Sequence, residues 1–211
     1  MKDIPVFAIN LNKRLDRKNH IINQFDSREE FELKIITAIE HDIGAIGLWK
    51  TMRKIVLQAK ISQQKYIIIC EDDHTFTVSY VKNVLFEAIK KGEGLCADLL
   101  LGGISHFDDA VEFDKGIFWI NGFTGTQFFV MFQRFYDIFL NLRLNSHDNI
   151  DLSMSSVSTN IYCMYPFISV QREFGYSDIT KKNEKLGVVD EYFIKSERRL
   201  KTLSFLKELF K

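Results

Sequence analysis

Apolar and polar positions alternate along this chain in two rhythms. Pro5-Val6-Phe7-Ala8-Ile9-Asn10-Leu11 is an apolar run that predicts a first buried strand, and Lys13 to Lys18 opens a helix that ends near Phe25. Phe31 to Ala38 predicts a second strand. From Gly44 to Gln58 the rhythm changes: Leu48, Met52, Ile55 and Ala59 recur at +4, +3 and +4, the stripe of a helix packed on a sheet. Tyr66-Ile67-Ile68-Ile69-Cys70 follows, short, β-branched and without alternation, which suits a strand covered on both faces of a parallel sheet. Val81, Val84, Leu85 and Ala88 predict the next helix, stopped by Gly92 and Gly94, before a strand from Ala97 to Leu101 closed by Gly102-Gly103.

The second half is less regular. Strands are expected at Ile117 to Ile120, Gln127 to Phe132 and Ile161 to Tyr165, with a helix from Arg134 to Leu142 and a polar segment around His147-Asp148-Asn149-Ile150-Asp151. Alternation of strands and helices makes the class α/β, a mixed, mainly parallel sheet flanked by helices. After Gln171 the chain turns charged and loses sheet periodicity. Residues 1–180 therefore read as one domain and 181–211 as a charged helical tail. The end of that tail, from Arg198 to Lys211, is a basic amphipathic helix that either docks on the domain or lies on an anionic membrane, with docking preferred.

Composition narrows the function classes. Lys plus Arg and Asp plus Glu each total 28 in 211 residues, so no global basic field points to nucleic acid, and any anionic partner must be bound locally. The longest apolar runs fall short of the roughly 18 residues that suggest a bilayer span. Met1 to Pro5 lacks a signal peptide's apolar core, so a cytoplasmic location is expected. Cys70, Cys96 and Cys163 are odd in number and widely spaced, and read as reduced core residues.

The most informative feature is where the Tyr66 to Cys70 run stops: Glu71-Asp72-Asp73, followed by His74. Ligands collect at the carboxyl ends of strands in open α/β sheets, and neighbouring carboxylates repel one another unless a cation joins them. Mg²⁺ or Mn²⁺ suits hard oxygen ligands and commonly shares such a site with a substrate phosphate. A solvated acidic turn is the plainer alternative. His74 reads as a surface side chain.

Ordered along the chain are Ile9-Asn10-Leu11 with Arg14 and Arg17, Gly44-Ala45-Ile46-Gly47, the Glu71-Asp72-Asp73 segment, Leu100-Leu101-Gly102-Gly103, and Gly125-Thr126-Gln127-Phe128. The Asp148 to Leu152 segment, Pro166 to Gln171 and Ser177-Asp178-Ile179 follow. In this order, over about residues 4 to 180, the chain resembles glycosyltransferase family 25, lipopolysaccharide biosynthesis enzymes of GT-A type related to collagen galactosyltransferases. Leu48, Thr51 and Met52 stand where that family places a cysteine and a Ser-His pair.

The resemblance implies hexose transfer, of galactose or glucose, from a UDP-sugar to a saccharide or lipid-linked saccharide, with inversion and with Mn²⁺ or Mg²⁺. It implies Asp73 as direct metal ligand and Glu71 at the metal or the ribose, with Asp72 the remaining member of the cofactor-binding cluster. Asp72 is set apart by strand alternation, which turns it to the opposite face. Asn10 would hydrogen-bond the base, while Arg14 and Arg17 would pair with the diphosphate or stack on uracil; a solvated first helical turn is the alternative for both arginines. An inverting reaction needs a carboxylate to take the acceptor proton, and Asp151 is the first choice with Asp148 second, unless they cap the helix toward Ser156. Gly122, Gly125 and Thr126 would let backbone approach the sugar, and Asp178 is a candidate for a late metal ligand. A lipid-carried acceptor implies work at the cytosolic face of the inner membrane, with peripheral contact through 198–211. A second reading is a non-catalytic relative that keeps nucleotide-sugar binding. A receiver-type phosphotransfer domain is disfavoured because Asn10-Leu11-Asn12 lacks the acids that fold needs after its first strand.

Overall fold

The computed structural model describes residues 4–176 and 185–209. Among the described residues there are ten strands and six helices, beginning β1 (Ile4–Asn10), α1 (Leu15–Phe25), β2 (Phe31–Thr37), α2 (Gly44–Ile61), β3 (Tyr66–Glu71), β4 (His74–Phe76), α3 (Lys82–Gly94) and β5 (Leu99–Leu101). The second half runs β6 (His106–Asp114), β7 (Ile117–Thr124), β8 (Phe128–Phe132), α4 (Gln133–Asn141), α5 (Ile150–Ser156), β9 (Ile161–Met164), β10 (Ser169–Gln171) and α6 (Val188–Leu209).

Eight strands form one sheet in the order β2-β1-β3-β8-β5-β9-β7-β6, and β10 pairs with β4 in a small second sheet. β2, β1 and β3 are parallel, β8 runs against β3 and β5, and β7 runs against β9 and β6. The expected mixed α/β class, a mixed sheet flanked by helices with six of its eight strands running the same way, is what the chain forms. The chain leaves β1 for β2 on one side and β3 on the other, so a crevice opens between the carboxyl ends of β1 and β3, the place where open α/β sheets take ligands.

Two apolar layers hold the sheet. Phe7, Ile67 and Ile69 face α2, whose Leu48, Met52, Ile55 and Ala59 are buried as their spacing predicts, while Val6, Ala8 and Ile68 face the side carrying Ile21, Leu85 and Ile89. Alternate residues of β1 and β3 thus feed opposite cores, which is why neither strand shows alternation in sequence. Gly92 does not stop α3. It lies inside the helix because a Cβ there would come 2.7 Å from the Phe132 ring, so a side chain is excluded by packing.

Two other expectations are corrected. Cys70 and Cys163 are buried, but Cys96 is exposed, in the turn after α3. His74 is fully buried: β4 pairs with β10, and its ring stacks on Phe128 at 4.7 Å while Nδ1 meets the Ser169 hydroxyl at 2.8 Å. The C-terminal helix is docked, as preferred, and belongs to the same core: Val189, Phe193 and Leu200 are buried in the layer that also holds Phe107 and Phe167. Glu173 accepts the Val189 N–H at 2.6 Å, placing a carboxylate at the positive end of α6. Arg199 donates to the carbonyls of Phe107 (2.8 Å) and Asp108 (3.2 Å) and Lys207 to that of Glu112 (2.8 Å), so α6 covers β6, the edge strand of the sheet.

Candidate active site

The β1–β3 register sets the site. Ile9 lies beside Glu71, so one step further Asn10 lies beside Asp72, and its amide donates to the Asp72 carboxylate at 2.7 Å. The β3–β8 register pairs Cys70 with Phe128, so Gln127 and Thr126 fall beside Glu71; the Glu71 N–H reaches the Gln127 carbonyl at 3.1 Å and the Thr126 hydroxyl donates to Glu71 Oε1 at 2.6 Å. Asp72 and Asp73 form the turn into β4. The acids take different partners: Asp72 meets Asn10 of β1 and Arg17 of α1, and Glu71 meets Thr126 before β8.

Arg17, in the first turn of α1, bridges Asp72 (3.1 Å) and Asp73 (3.2 Å), and Gln171 from β10 donates to the same Asp73 oxygen at 2.8 Å. The other Asp73 oxygen, Oδ1, is buried and has no hydrogen-bond partner among the described residues. Burial works against the Arg17 charge, but Asp73 and Asp72 outweigh it and hold the guanidinium firmly protonated. Burial, then the neighbouring Asp73, pushes Glu71 up to about 8. Burial pushes Asp73 to about 6 against the pull of Arg17.

Asp151 approaches from the far side of the same cleft. Asn149 caps α5 by accepting the Asp151 N–H at 3.0 Å, so the cap falls to Asn149 and the Asp151 carboxylate is left to face inward. There it accepts the Gly125 N–H at 2.7 Å, and burial raises it to about 6. Asp148 lines the same cleft but is spent on its own turn, accepting the Asn145 N–H at 2.6 Å. The cleft, about 980 Å³, is floored by Glu71, Asp72 and Asp73 and walled by the loop from Ala38 to Gly44, by Gly125 and Thr126, and by the 146–151 segment.

The candidates divide. Glu71, Asp73 and Asp151 are brought together around the cleft. Asn10 is only 2% exposed and outside the cleft wall, with its amide nitrogen donating to Asp72 and to the Arg14 carbonyl, so it orients an acid rather than reading a base. Arg14 also lies outside the cleft wall, its guanidinium 3.9 Å over the Tyr176 ring. Arg17 borders the cleft but is committed to Asp72 and Asp73, which corrects both its reading as a free diphosphate clamp and its reading as a solvated turn. Gly122 packs against the Asp108 side chain, away from the cleft. Asp178 lies outside the described residues.

Sequence reasoning missed the strap after β10. Phe174 and Tyr176 are stacked by Arg17 (4.9 and 4.8 Å), and Arg17 also donates to the Tyr176 carbonyl at 3.0 Å, a contact spanning 159 residues. It also missed Gln171 and Tyr192, the latter brought to the cleft by α6.

Among the described residues no three of His, Cys, Asp and Glu are grouped to hold a metal ion; a cation in this cleft would have the Glu71 and Asp73 carboxylates to use. These fit: they repel one another, and Asp73 offers an unpartnered buried oxygen. Mg²⁺-type sites commonly use one or two carboxylates and complete their shell with water and phosphate. At Thr51 and Met52, both fully buried, the structure puts framework in place of a cleft group: Thr51 accepts the Ile39 N–H and donates to the Gly47 carbonyl, each at 2.8 Å.

The Glu71 assignment has a pH signature. A carboxyl raised above its unfolded value keeps a proton in the folded state that the unfolded chain has lost, so stability falls as pH rises through the folded value. Between pH 6.5 and 8 the metal-free protein is expected to lose thermal stability, and Glu71→Gln to flatten that slope, as melting curves at a series of pH values will report. An unchanged slope in the variant assigns the dependence elsewhere.

No family model matches the sequence, and no curated protein matches it. Among solved structures, the chain is similar to A197 from STIV, with 13% identity and a TM-score of 0.49 over 80% of this chain and 85% of that one. It is also similar to a glycosyltransferase involved in the glycosylation of the major capsid of PBCV-1, with 9% identity and a TM-score of 0.40 over 65% of this chain and 63% of that one. At this distance neither likeness assigns a residue or a substrate.

Proposed function

We propose that this cleft transfers a hexose from a UDP-sugar to a hydroxyl of a saccharide or lipid-linked saccharide, with inversion. The observation that carries the reading is the pairing, across one cleft, of the Glu71 and Asp73 carboxylates with the separately held Asp151. The nucleoside would lie over the ends of β1 and β2, where Leu11, Ala38 and Ile39 give apolar cover, with its diphosphate toward Glu71 and Asp73. A divalent cation held there, Mn²⁺ or Mg²⁺, would offset the charge that builds on the departing diphosphate. Asp151 takes the proton of the acceptor hydroxyl as that oxygen bonds to the anomeric carbon; the bond from that carbon to the diphosphate breaks, and the electron pair leaves with UDP. Arg17 keeps Asp72 and Asp73 in place and limits the net charge of the cluster. A lipid-linked acceptor would be met at the cytosolic face of the inner membrane, with the distal half of α6 as the contact.

The buried framework roles of Thr51 and Met52 favour a second reading, a relative that binds nucleotide sugar without turning it over. Calorimetry with UDP and Mn²⁺ tests the shared part. Asp73→Asn is expected to lose the metal-dependent component of UDP binding while circular dichroism stays unchanged. Equal affinity in the variant removes the cation from Asp73, and no binding by the parent protein removes both readings. Release of free hexose from a UDP-hexose in the presence of Mn²⁺ separates the enzyme from the silent binder.

A further inference from the structure

We infer that the corner between β7 and β8, Gly125-Thr126, is a positioning device that sets Glu71 and Asp151 against each other across the cleft. The inference rests on the proposed roles of those two acids. Glu71 belongs to β3 and Asp151 to α5, elements with no backbone bond between them. Both nevertheless end on the same two residues: the Thr126 hydroxyl donates to Glu71 Oε1 at 2.6 Å, and the Gly125 N–H donates to Asp151 Oδ2 at 2.7 Å.

A plain turn needs neither bond. A turn is served when its polar groups satisfy the ladder or water, whereas here the hydroxyl of Thr126, a residue only 4% exposed, and a backbone N–H are both spent on carboxylates. Charge-assisted bonds of this kind are short, directional and stronger than neutral ones. The backbone is shaped for them. Gly125 sits at φ +114, where side chains are strained, and a Cβ there would come 3.1 Å from the Ser105 N and 3.0 Å from Gln127 Oε1. Any other residue at 125 would shift the N–H that Asp151 uses. Thr126 is fixed in turn by its neighbour Gln127, whose side chain donates to the Gly103 carbonyl at 2.9 Å and whose carbonyl accepts the Glu71 N–H. The cation side and the base side of the site are therefore tied to one rigid corner, Glu71 through the Thr126 hydroxyl and Asp151 chiefly through the Gly125 N–H, with the Thr126 side chain also acting on Asp151.

Different principal bonds predict different principal losses. Thr126→Val, which removes the hydroxyl and keeps the shape, is expected to weaken Mn²⁺ binding about tenfold and to raise the donor KM, with Thr126→Ser restoring both to within about twofold. Gly125→Ala is expected to keep Mn²⁺ affinity and to lower kcat about tenfold. Mn²⁺ affinity is read by electron paramagnetic resonance without turnover, and steady-state kinetics with a UDP-hexose gives the KM and kcat. Thr126→Ser as impaired as Thr126→Val, or kcat and Mn²⁺ affinity falling together in step with melting temperature in both variants, makes the corner a fold element only and overturns the inference. If the parent protein neither binds Mn²⁺ nor turns over, the proposed function fails by itself, and the crystal structure of Thr126→Val decides the corner. A Glu71 carboxylate swung away from 126 with Asp151 unmoved upholds it; both unmoved overturns it.

Discussion

Asp151→Asn is expected to lower hexose transfer by roughly 10²-fold or more, the usual scale for removing a general base, while leaving UDP affinity nearly intact. The geometry supports this split. Asp151 hangs from the corner at Gly125, and the cation-side carboxylates have their own principal partners, Thr126, Arg17 and Gln171, so the amide leaves the Arg17 and Gln171 bonds untouched. Asp148→Asn is expected to do much less, because the Asp148 carboxylate closes a turn onto Asn145. Measured kcat and KM for both variants rank the two acids. The reverse order moves the base to Asp148, and two fully active variants remove both. A rate that rises with an apparent value near 6 in the parent and flattens in Asp151→Asn would tie the proton transfer to the carboxyl that burial raises to about 6.

What the sequence discloses and what it hides follow from the distance over which each feature is decided. The α2 stripe, β1 and β3 are local patterns, and the register of β1 on β3 then brings Asn10 to Asp72 with no further information. The acids at the end of β3 were legible for the same reason. His74 was not, because its burial depends on β10, with its ring bonded to Ser169 at 95 residues' separation. The fate of Arg17 depends on Asp72, Asp73 and the Phe174 and Tyr176 rings, and no local pattern distinguishes an arginine sealed in ion pairs from one at a solvated helix start. β6 was hidden differently: its alternation is broken by a bulge between Glu112 and Asp114 and diluted by acids on the open face. Gly92 was misread as a helix stop because glycine's two uses, ending a helix and admitting a ring, look alike in sequence.

The C-terminal helix, docked as its apolar face suggested, carries the largest expected change in stability. Truncation after Ser196 removes Leu200, which is fully buried, the Glu197 carboxylate that accepts the Phe167 N–H at 2.9 Å, and the Arg199 and Lys207 bonds to β6 carbonyls. Loss of a buried leucine alone costs about 3 kcal/mol or more. In a chain of this size that corresponds to a melting temperature lower by roughly 10 °C. The uncovered edge of β6, with Val111 and Phe113 already exposed beside it, is expected to promote self-association of the truncated protein, visible in light scattering. The membrane contact proposed for the same helix then has to use what docking leaves outside: Phe205, Leu206 and Leu209, with Lys201 on the same exposed stretch. Phe205→Ser with Leu209→Ser is the variant that separates the two roles, because neither side chain reaches the core. It is expected to keep the parent's melting temperature and to lose binding to anionic vesicles at low salt, a contact that combines apolar insertion with screened charge. Vesicle binding equal to the parent's removes the membrane from the helix, and a melting temperature unchanged by truncation removes the helix from the core.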